Sequence, residues 1–280
     1  MTAKEAATGT KPPAMRARRS RIGRTDESTG TRALPQETPV AFTYGRQTHA
    51  VMLATPADLE DFAVGFSFTE RLADAPAEIE ELEIVDLPSG VELRMSLTGE
   101  RADLAEARRR RMAGPAGCGL CGIESLAAAT APPPPVRAEL QVETAEIFRA
   151  LAALREHQPL NDETRGVHAA GFWSPSAHRF LAVREDVGRH NALDKLIGAL
   201  LRADIAPGDG FIVLTSRVSI ELVQKTAKIG CPVLVAISVP TALALETAEA
   251  ANITLAAIAR DDGFEVFTHA RRIRTAAHVA

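Results

Sequence analysis

The apolar and polar positions of residues 38–113 predict a small α+β domain. Two β-favouring runs around Gly45 predict a hairpin. Thr55 and Pro56 predict the start of a helix, because threonine caps helices and proline suits the first helical position. Two further β-favouring runs predict a second strand pair. The predicted strands cover residues 40–44, 48–53, 79–87 and 91–97, and the predicted helix covers residues 55–71.

The second half of the chain alternates between short apolar runs and helical periodicity. The predicted strands cover residues 167–173, 180–184, 211–214, 233–237, 254–258 and 264–268. The predicted helices cover residues 144–156, 188–201, 219–229 and a segment that begins near residue 241. Fully apolar strands that alternate with helices predict an α/β domain with a mostly parallel sheet covered by helices. We place this domain at residues 138–280, after a proline-rich linker that occupies the end of residues 114–137.

Charge divides the 280-residue chain unevenly, since the net charge is −4 while residues 1–37 carry eight Lys and Arg against four Asp and Glu. The Pro, Thr, Gly and Ser of this segment predict a disordered basic tail. We predict no nucleic-acid partner for it. No run of eighteen apolar residues exists, so no membrane span is predicted, and no apolar stretch follows the N-terminal basic residues. The expected location is the cytoplasm.

Two of the three cysteines, Cys118 and Cys121, lie in a glycine-rich C-x-x-C motif. This spacing allows two thiols to share a metal, form a disulfide or relay sulfur. A structural zinc site needs four ligands and the chain has no second cysteine pair, so thiol chemistry is favoured. Four arginines at 108–111 either form a solvated helix end or favour the thiolate form of Cys118, and the sequence leaves both open.

Polar residues follow several predicted strands of the α/β domain, at the edge where ligands bind in such sheets. They are Arg184-Glu185-Asp186, Thr215-Ser216-Arg217, Ser238 and Arg260-Asp261-Asp262. Candidate cations for an anionic ligand are Arg189, Arg217, Lys225 and Arg260, with His190 beside Arg189. Two alternatives remain open. Arg184 to Arg189 can form an ion-pair network, and Lys225 can form a helical salt bridge with Glu221, four residues before it.

Three stretches together resemble the FdhD/NarQ family, the sulfur-carrier accessory proteins of formate dehydrogenase. They are Cys118-Gly-Leu-Cys121-Gly, the twelve residues from Arg184 to Lys195, and Ser216-Arg217 with residues 221–230. The resemblance covers residues 38–272. It implies an α/β domain similar in fold to cytidine deaminases, and homodimers.

The resemblance also implies a function for the cysteines. Family members accept sulfur from a cysteine desulfurase as a persulfide, which the family motif places on Cys118, while Cys121 assists or resolves it. They transfer the sulfur to the molybdenum of bis(molybdopterin guanine dinucleotide) before this cofactor enters apo-formate dehydrogenase. The resemblance implies that the cofactor is bound by Ile258, Ala259, Arg260, Asp261, Asp262 and Gly263. GDP can mimic the guanine nucleotide part of this cofactor. Family members often carry a basic residue where this chain has Gly263.

Other functions fit the sequence less well. In a zinc deaminase the catalytic Glu lies two residues after a His, but here Ala170 lies two residues after His168. The C-x-x-C motif also precedes His168, whereas in a deaminase it follows the histidine. A thioredoxin-like oxidoreductase is shorter and has little use for a nucleotide site. A chaperone that binds the cofactor without moving sulfur remains the alternative. Cys231 enters an apolar strand and is predicted to be buried.

Overall fold

The computed structural model describes residues 11–99, 101–102 and 131–275 as a mixed α/β fold. The strands are β1 (Ala14–Ile22), β2 (Glu27–Pro35), β3 (Thr38–Tyr44), β4 (Gln47–Ala54), β5 (Ile79–Leu87), β6 (Gly90–Leu97), β7 (Val142–Glu143), β8 (His168–Ser174), β9 (Arg179–Asp186), β10 (Phe211–Leu214), β11 (Val233–Ala236), β12 (Thr254–Arg260), β13 (Gly263–Val266) and β14 (Ile273–Arg274). The helices are α1 (Leu59–Thr69), α2 (Thr144–Leu154), α3 (Pro159–Thr164), α4 (Arg189–Arg202), α5 (Ile220–Ile229) and α6 (Ala242–Ala250).

A four-stranded sheet in the order β4-β3-β6-β5 forms the first unit, and α1 packs on one of its faces. Phe42 of β3 stacks on Phe66 of α1 with ring centroids 3.9 Å apart. The helix begins at Leu59, later than the predicted Thr55. Thr55 is buried, its backbone N–H donates to Asp186 at the end of β9, and its hydroxyl accepts from the Val187 N–H, so neither group is available to cap a helix.

The second unit has a six-stranded sheet in the order β13-β12-β11-β10-β8-β9. Only the β10–β11 and β11–β12 pairings are parallel, whereas the other three pairings are antiparallel. The sheet is therefore mixed, in contrast to the predicted mostly parallel sheet. Two of the antiparallel pairings have a local cause, because short turns join β8 to β9 and β12 to β13, and a short turn can connect only antiparallel neighbours. Apolar residues of α4, α5 and α6 cover one face, and α2 covers the other.

Residues 14–35 form a hairpin of β1 and β2, although their composition predicts disorder. Nine consecutive residue pairs join the two strands, from Ala14 with Pro35 to Ile22 with Glu27. This ladder satisfies the backbone without an apolar core, which explains why a search for apolar periodicity misses it. The base of the hairpin contacts the rest of the protein through Arg32, whose Nη2 donates to the Thr164 carbonyl at 3.4 Å.

Helices α1 and α4 cross at glycines and join the two units. A methyl group at Gly65 would lie 1.7 Å from the Asp194 carbonyl oxygen, and one at Gly198 would lie 1.8 Å from that of Asp61. Only glycine at both positions permits this approach. None of the helices in the described ranges is long and apolar enough to cross a membrane.

Candidate functional site at the carboxyl edge of the mixed sheet

Helices α4, α5 and α6 begin at one edge of the mixed sheet, where β9, β10 and β11 end. The loops at this edge bind one another. The Ile237 N–H donates to the Leu214 carbonyl at 2.9 Å, and the Ile258 N–H donates to the Ser238 carbonyl at 3.2 Å. Helix N-termini present free N–H groups and a partial positive charge, so their convergence favours an anionic ligand.

Asp186 and Lys195, from the stretch that carries the family resemblance, face the interior. Lys195 Nζ lies 2.7 Å from Asp186 Oδ2, and neither side chain is exposed. The same carboxylate accepts from the backbone N–H groups of Thr55 and Gly188 and from Asn191 Nδ2, at 3.0, 2.7 and 3.0 Å. Lys195 also donates to the Thr55 carbonyl at 2.8 Å. These contacts attach the segment before α1 to the start of α4.

Arg184 and Glu185 also bind neighbouring elements within the protein. Arg184 binds Asp61 of α1, with its Nη2 2.6 Å from Asp61 Oδ2. Glu185 accepts from the Leu160 and Asn161 N–H groups at 2.9 and 2.8 Å, in the first turn of α3. Burial raises the pKa of Glu185, while these two donors oppose the rise. The ion-pair alternative thus describes Arg184 and Asp186, whereas Glu185 is held by backbone N–H groups.

The prediction that Lys225 contacts a phosphate is wrong, and so is the alternative that Lys225 pairs with Glu221 along the helix. Lys225 is buried, and its Nζ lies 2.7 and 2.8 Å from the two carboxylate oxygens of Asp194. It also donates to Thr69 Oγ1 at 3.0 Å. The sequence spacing missed this pair because Asp194 and Lys225 lie on different helices, α4 and α5, which the fold brings together.

Arg189, Arg217, His168 and His190 form the basic part of the edge. The Nε atom of Arg189 is buried and has no hydrogen-bond partner within the described part of the chain. The pKa of His168 is lowered by burial and next by the positive charge of Arg189, with a smaller contribution from Arg217. A buried guanidinium nitrogen with no partner among the described residues is suited to an anion.

His190 faces the first turn of α5. Its Nε2 lies 3.5 Å from Ser219 Oγ and 3.7 Å from Glu221 Oε2. The neighbouring His190 lowers the pKa of Glu221 to about 2, and burial opposes this change. The sequence analysis included Glu221 in the stretch 221–230 and considered it as a partner of Lys225, but gave it no role at this edge. Its place in the first turn of a helix that follows a predicted strand was the signal for a residue at this edge.

The predicted cofactor-binding residues 258–263 lie at the same edge, where β12 ends and β13 begins. Ile258 has a φ of 54° beside an irregularity in the strand pairing. Arg260 donates to the carbonyls of Ile237 and Ala259, and the exposed Asp261 lies 3.7 Å from Arg155. A methyl group at Gly263 would meet no atom within 4 Å, so this position is not restricted to glycine by close packing.

Cys118, Cys121 and the arginines at 108–111 lie outside the described residues. Cys231 is buried as predicted, and burial raises the pKa of its thiol to about 12. It is therefore protonated at neutral pH, in contrast to a reactive cysteine.

Comparison with known proteins gives consistent matches over this whole fold. The family model described as the FdhD/NarQ family matches residues 35–274. A sulfur carrier protein FdhD from Agrobacterium fabrum is 55% identical over 88% of this chain and 91% of its own length. One from Brucella abortus is 51% identical over 87% of this chain and 90% of its own. The solved structure of a proposed formate dehydrogenase accessory protein from Desulfotalea psychrophila aligns with a TM-score of 0.73 and 25% identity, over 94% of this chain and 100% of that one.

Proposed function

The chain belongs to the FdhD/NarQ family, and from this membership we propose that it is a sulfur carrier that serves formate dehydrogenase. The observation that carries the proposal is the similarity to relatives named sulfur carrier protein FdhD, which extends over nearly the whole chain. Cys118 and Cys121 supply the thiol chemistry that such a role needs.

In the proposed first step, the Cys118 thiolate attacks the terminal sulfur of a cysteine desulfurase persulfide. A new S–S bond forms on Cys118, and the desulfurase cysteine leaves as a thiolate. In the second step, Cys121 attacks the Cys118 sulfur and releases the outer sulfur as sulfide, which binds the molybdenum of the cofactor. The two cysteines are oxidised to a disulfide, and a cellular thiol reductant regenerates them.

The proposed substrate is bis(molybdopterin guanine dinucleotide), whose phosphates need cations and N–H donors. The carboxyl edge of the mixed sheet supports this proposal, because Arg189 Nε is buried there with no hydrogen-bond partner among the described residues. Arg217 and residues 258–263 lie at the same edge. We propose that these residues bind the guanine nucleotide, and that the cysteine desulfurase, apo-formate dehydrogenase and a second copy of the chain are partners.

Intact-mass spectrometry after incubation with cysteine and a cysteine desulfurase tests the sulfur-carrier role. The wild-type protein should gain about 32 Da, the mass of one persulfide sulfur, and Cys118→Ala should gain nothing. Cys231→Ala is the matched control and should load like the wild type, because the Cys231 thiol is buried and protonated. If Cys231→Ala gains sulfur normally, the failure of Cys118→Ala reflects loss of the carrier cysteine and not the loss of any one thiol.

Two outcomes contradict the assignment. Sulfur on Cys118→Ala but not on Cys121→Ala would exchange the roles of the two cysteines and keep the function. An unchanged mass for the wild type, with a desulfurase that loads its other acceptors, would leave the cofactor-binding chaperone as the better explanation.

A further inference from the structure

The hairpin of β1 and β2 is a two-stranded ribbon whose side chains are largely exposed beyond its base. Within the described part of the chain, β1 pairs with β2 alone. A two-stranded hairpin is only marginally stable in water by itself, so a ribbon of nine-residue strands benefits from a third strand. The unpaired edge of β1 is available for one.

One face of the ribbon changes from apolar to basic along β1. Side chains at alternate positions share a face, so Met15, Ala17, Arg19 and Arg21 lie together. The register places Met15 opposite Leu34, and these two side chains are 51% and 41% exposed. Arg21 pairs with Asp26 at 3.0 Å, but both side chains are more than half exposed, so this pair competes weakly with another carboxylate.

Strand β5 has the complementary pattern at an edge of the four-stranded sheet. Its inner positions, such as Leu82 and Ile84, pack against the core. Its outer positions are therefore Glu81, Glu83, Val85 and Leu87, two acidic residues followed by two apolar ones. Glu83 contacts Arg94 at 3.5 Å, again with both side chains exposed. Among the described residues, only β6 pairs with β5.

We propose that β1 of one chain pairs in antiparallel orientation with β5 of a second copy of this chain. In this register Arg21 faces Glu81, Arg19 faces Glu83, Ala17 faces Val85 and Met15 faces Leu87. Residues 15–22 of β1 then face residues 80–87 of β5, so all but one residue of each strand is matched. A shift by one residue would turn every matched side chain to the opposite face, and a shift by two would leave only one arginine opposite a glutamate, so the pattern favours this register.

A second copy fits this surface better than nucleic acid or an unrelated acidic protein. The apolar pair Met15 and Leu34 has no counterpart on a phosphate backbone, whereas β5 supplies Val85 and Leu87 beside its two carboxylates. The same chain carries both surfaces, so two copies satisfy both ribbons by exchange. Each four-stranded sheet then gains two strands through backbone hydrogen bonds.

Charge reversal tests the contact by sedimentation equilibrium on the full chain. Arg19→Glu/Arg21→Glu should raise the dimer dissociation constant by about tenfold or more, because two attractive cross-strand pairs become repulsive. Glu81→Arg/Glu83→Arg should do the same. An equimolar mixture of the two variants should recover the wild-type constant, because each ribbon then faces a strand of opposite charge. The matched control is Arg16→Glu/Arg18→Glu, which makes the same charge change on the other face and should dimerise like the wild type.

A disulfide between Ala17→Cys and Val85→Cys on separate chains tests the register, in a background of Cys118→Ser/Cys121→Ser. We expect a covalent dimer from differently tagged chains, and none when Arg18→Cys replaces Ala17→Cys. Three results would overturn the proposal. They are a wild type that stays monomeric at every concentration, reversal variants that dimerise normally, and a disulfide that forms only within one chain.

Discussion

Asp186 and Lys195 look like site residues in the sequence, yet both side chains are fully buried. A buried carboxylate is costly unless it is paired and hydrogen-bonded, and Asp186 has an ammonium and three N–H donors around it. Residues of this kind hold the segment before α1 against the start of α4. Their neighbours Arg189 and His190 are the ones that remain at the edge.

Lys195→Met should lower the free energy of unfolding by about 3–5 kcal/mol, because the Asp186 charge stays buried without its partner. Adding Asp186→Asn should restore part of this loss, since the amide is neutral. Urea unfolding at pH 7 measures both effects. The matched control is Arg165→Met, which removes an exposed pair with Asp162 and should cost less than about 1 kcal/mol. Equal losses for Lys195→Met and Arg165→Met would show that the buried pair is dispensable.

At the scale of elements, the crossing of α1 and α4 depends on two glycines that a helix would otherwise avoid. Gly198 lies in the interior of α4, where alanine is normally preferred by about 1 kcal/mol. The close approach to the Asp61 carbonyl explains the glycine, since a methyl group would overlap it. Helix propensity therefore favours alanine at position 198, whereas packing against α1 requires glycine.

Gly198→Ala should destabilise the protein by about 3 kcal/mol or more, because the two helices must separate to admit the methyl group. The measurement is the denaturation midpoint in guanidinium chloride. Gly263→Ala is the matched control, because a methyl group there meets no atom within 4 Å, and it should change the stability little. A Gly198→Ala protein that is more stable than the wild type would mean that helix propensity outweighs the crossing.

Most strands and helices could be predicted from the sequence, because buried strands such as β10 and β11 are continuous apolar runs. The direction of the strands could not be predicted, because the apolar patterns of β8 and β9 are the same for parallel and antiparallel pairing. Only the short turn between these strands indicates that they are antiparallel. The β1–β2 hairpin was not predicted because neither of its faces packs on an apolar core. At the site, the sequence correctly located the polar edge. It could not separate Lys225 from Arg189, since burial beside Asp194 depends on how α4 and α5 pack.

At the scale of the whole molecule, contacts between the two units are buried and polar as well as apolar. Asp61 of α1 pairs with Arg184 of β9 and with Arg202 of α4, both at 2.6 Å. Separating the units would leave these groups unpaired, and each unpaired buried group is expensive. The units should therefore unfold together.

The single Tyr44 and the single Trp173 provide a native probe in each unit. Tyr44 shares a 2.7 Å hydrogen bond with Ser67 in the first unit, and Trp173 donates to Glu146 at 3.0 Å in the second. Urea transitions followed by tyrosine absorbance and by tryptophan fluorescence should coincide, as cooperative unfolding requires. Two transitions with separate midpoints would contradict this coupling.

The buried Asp186–Lys195 pair also affects how a genetic screen of this protein should be interpreted. A screen that scores formate-dependent growth would rank substitutions at these two positions beside those at Cys118, although the pair has no atom accessible to a substrate. The phenotype would follow from low protein abundance, since a loss of a few kcal/mol is enough to expose a marginally stable chain to proteolysis. Measuring soluble protein for each variant would distinguish residues that act on sulfur from residues that keep the carrier folded.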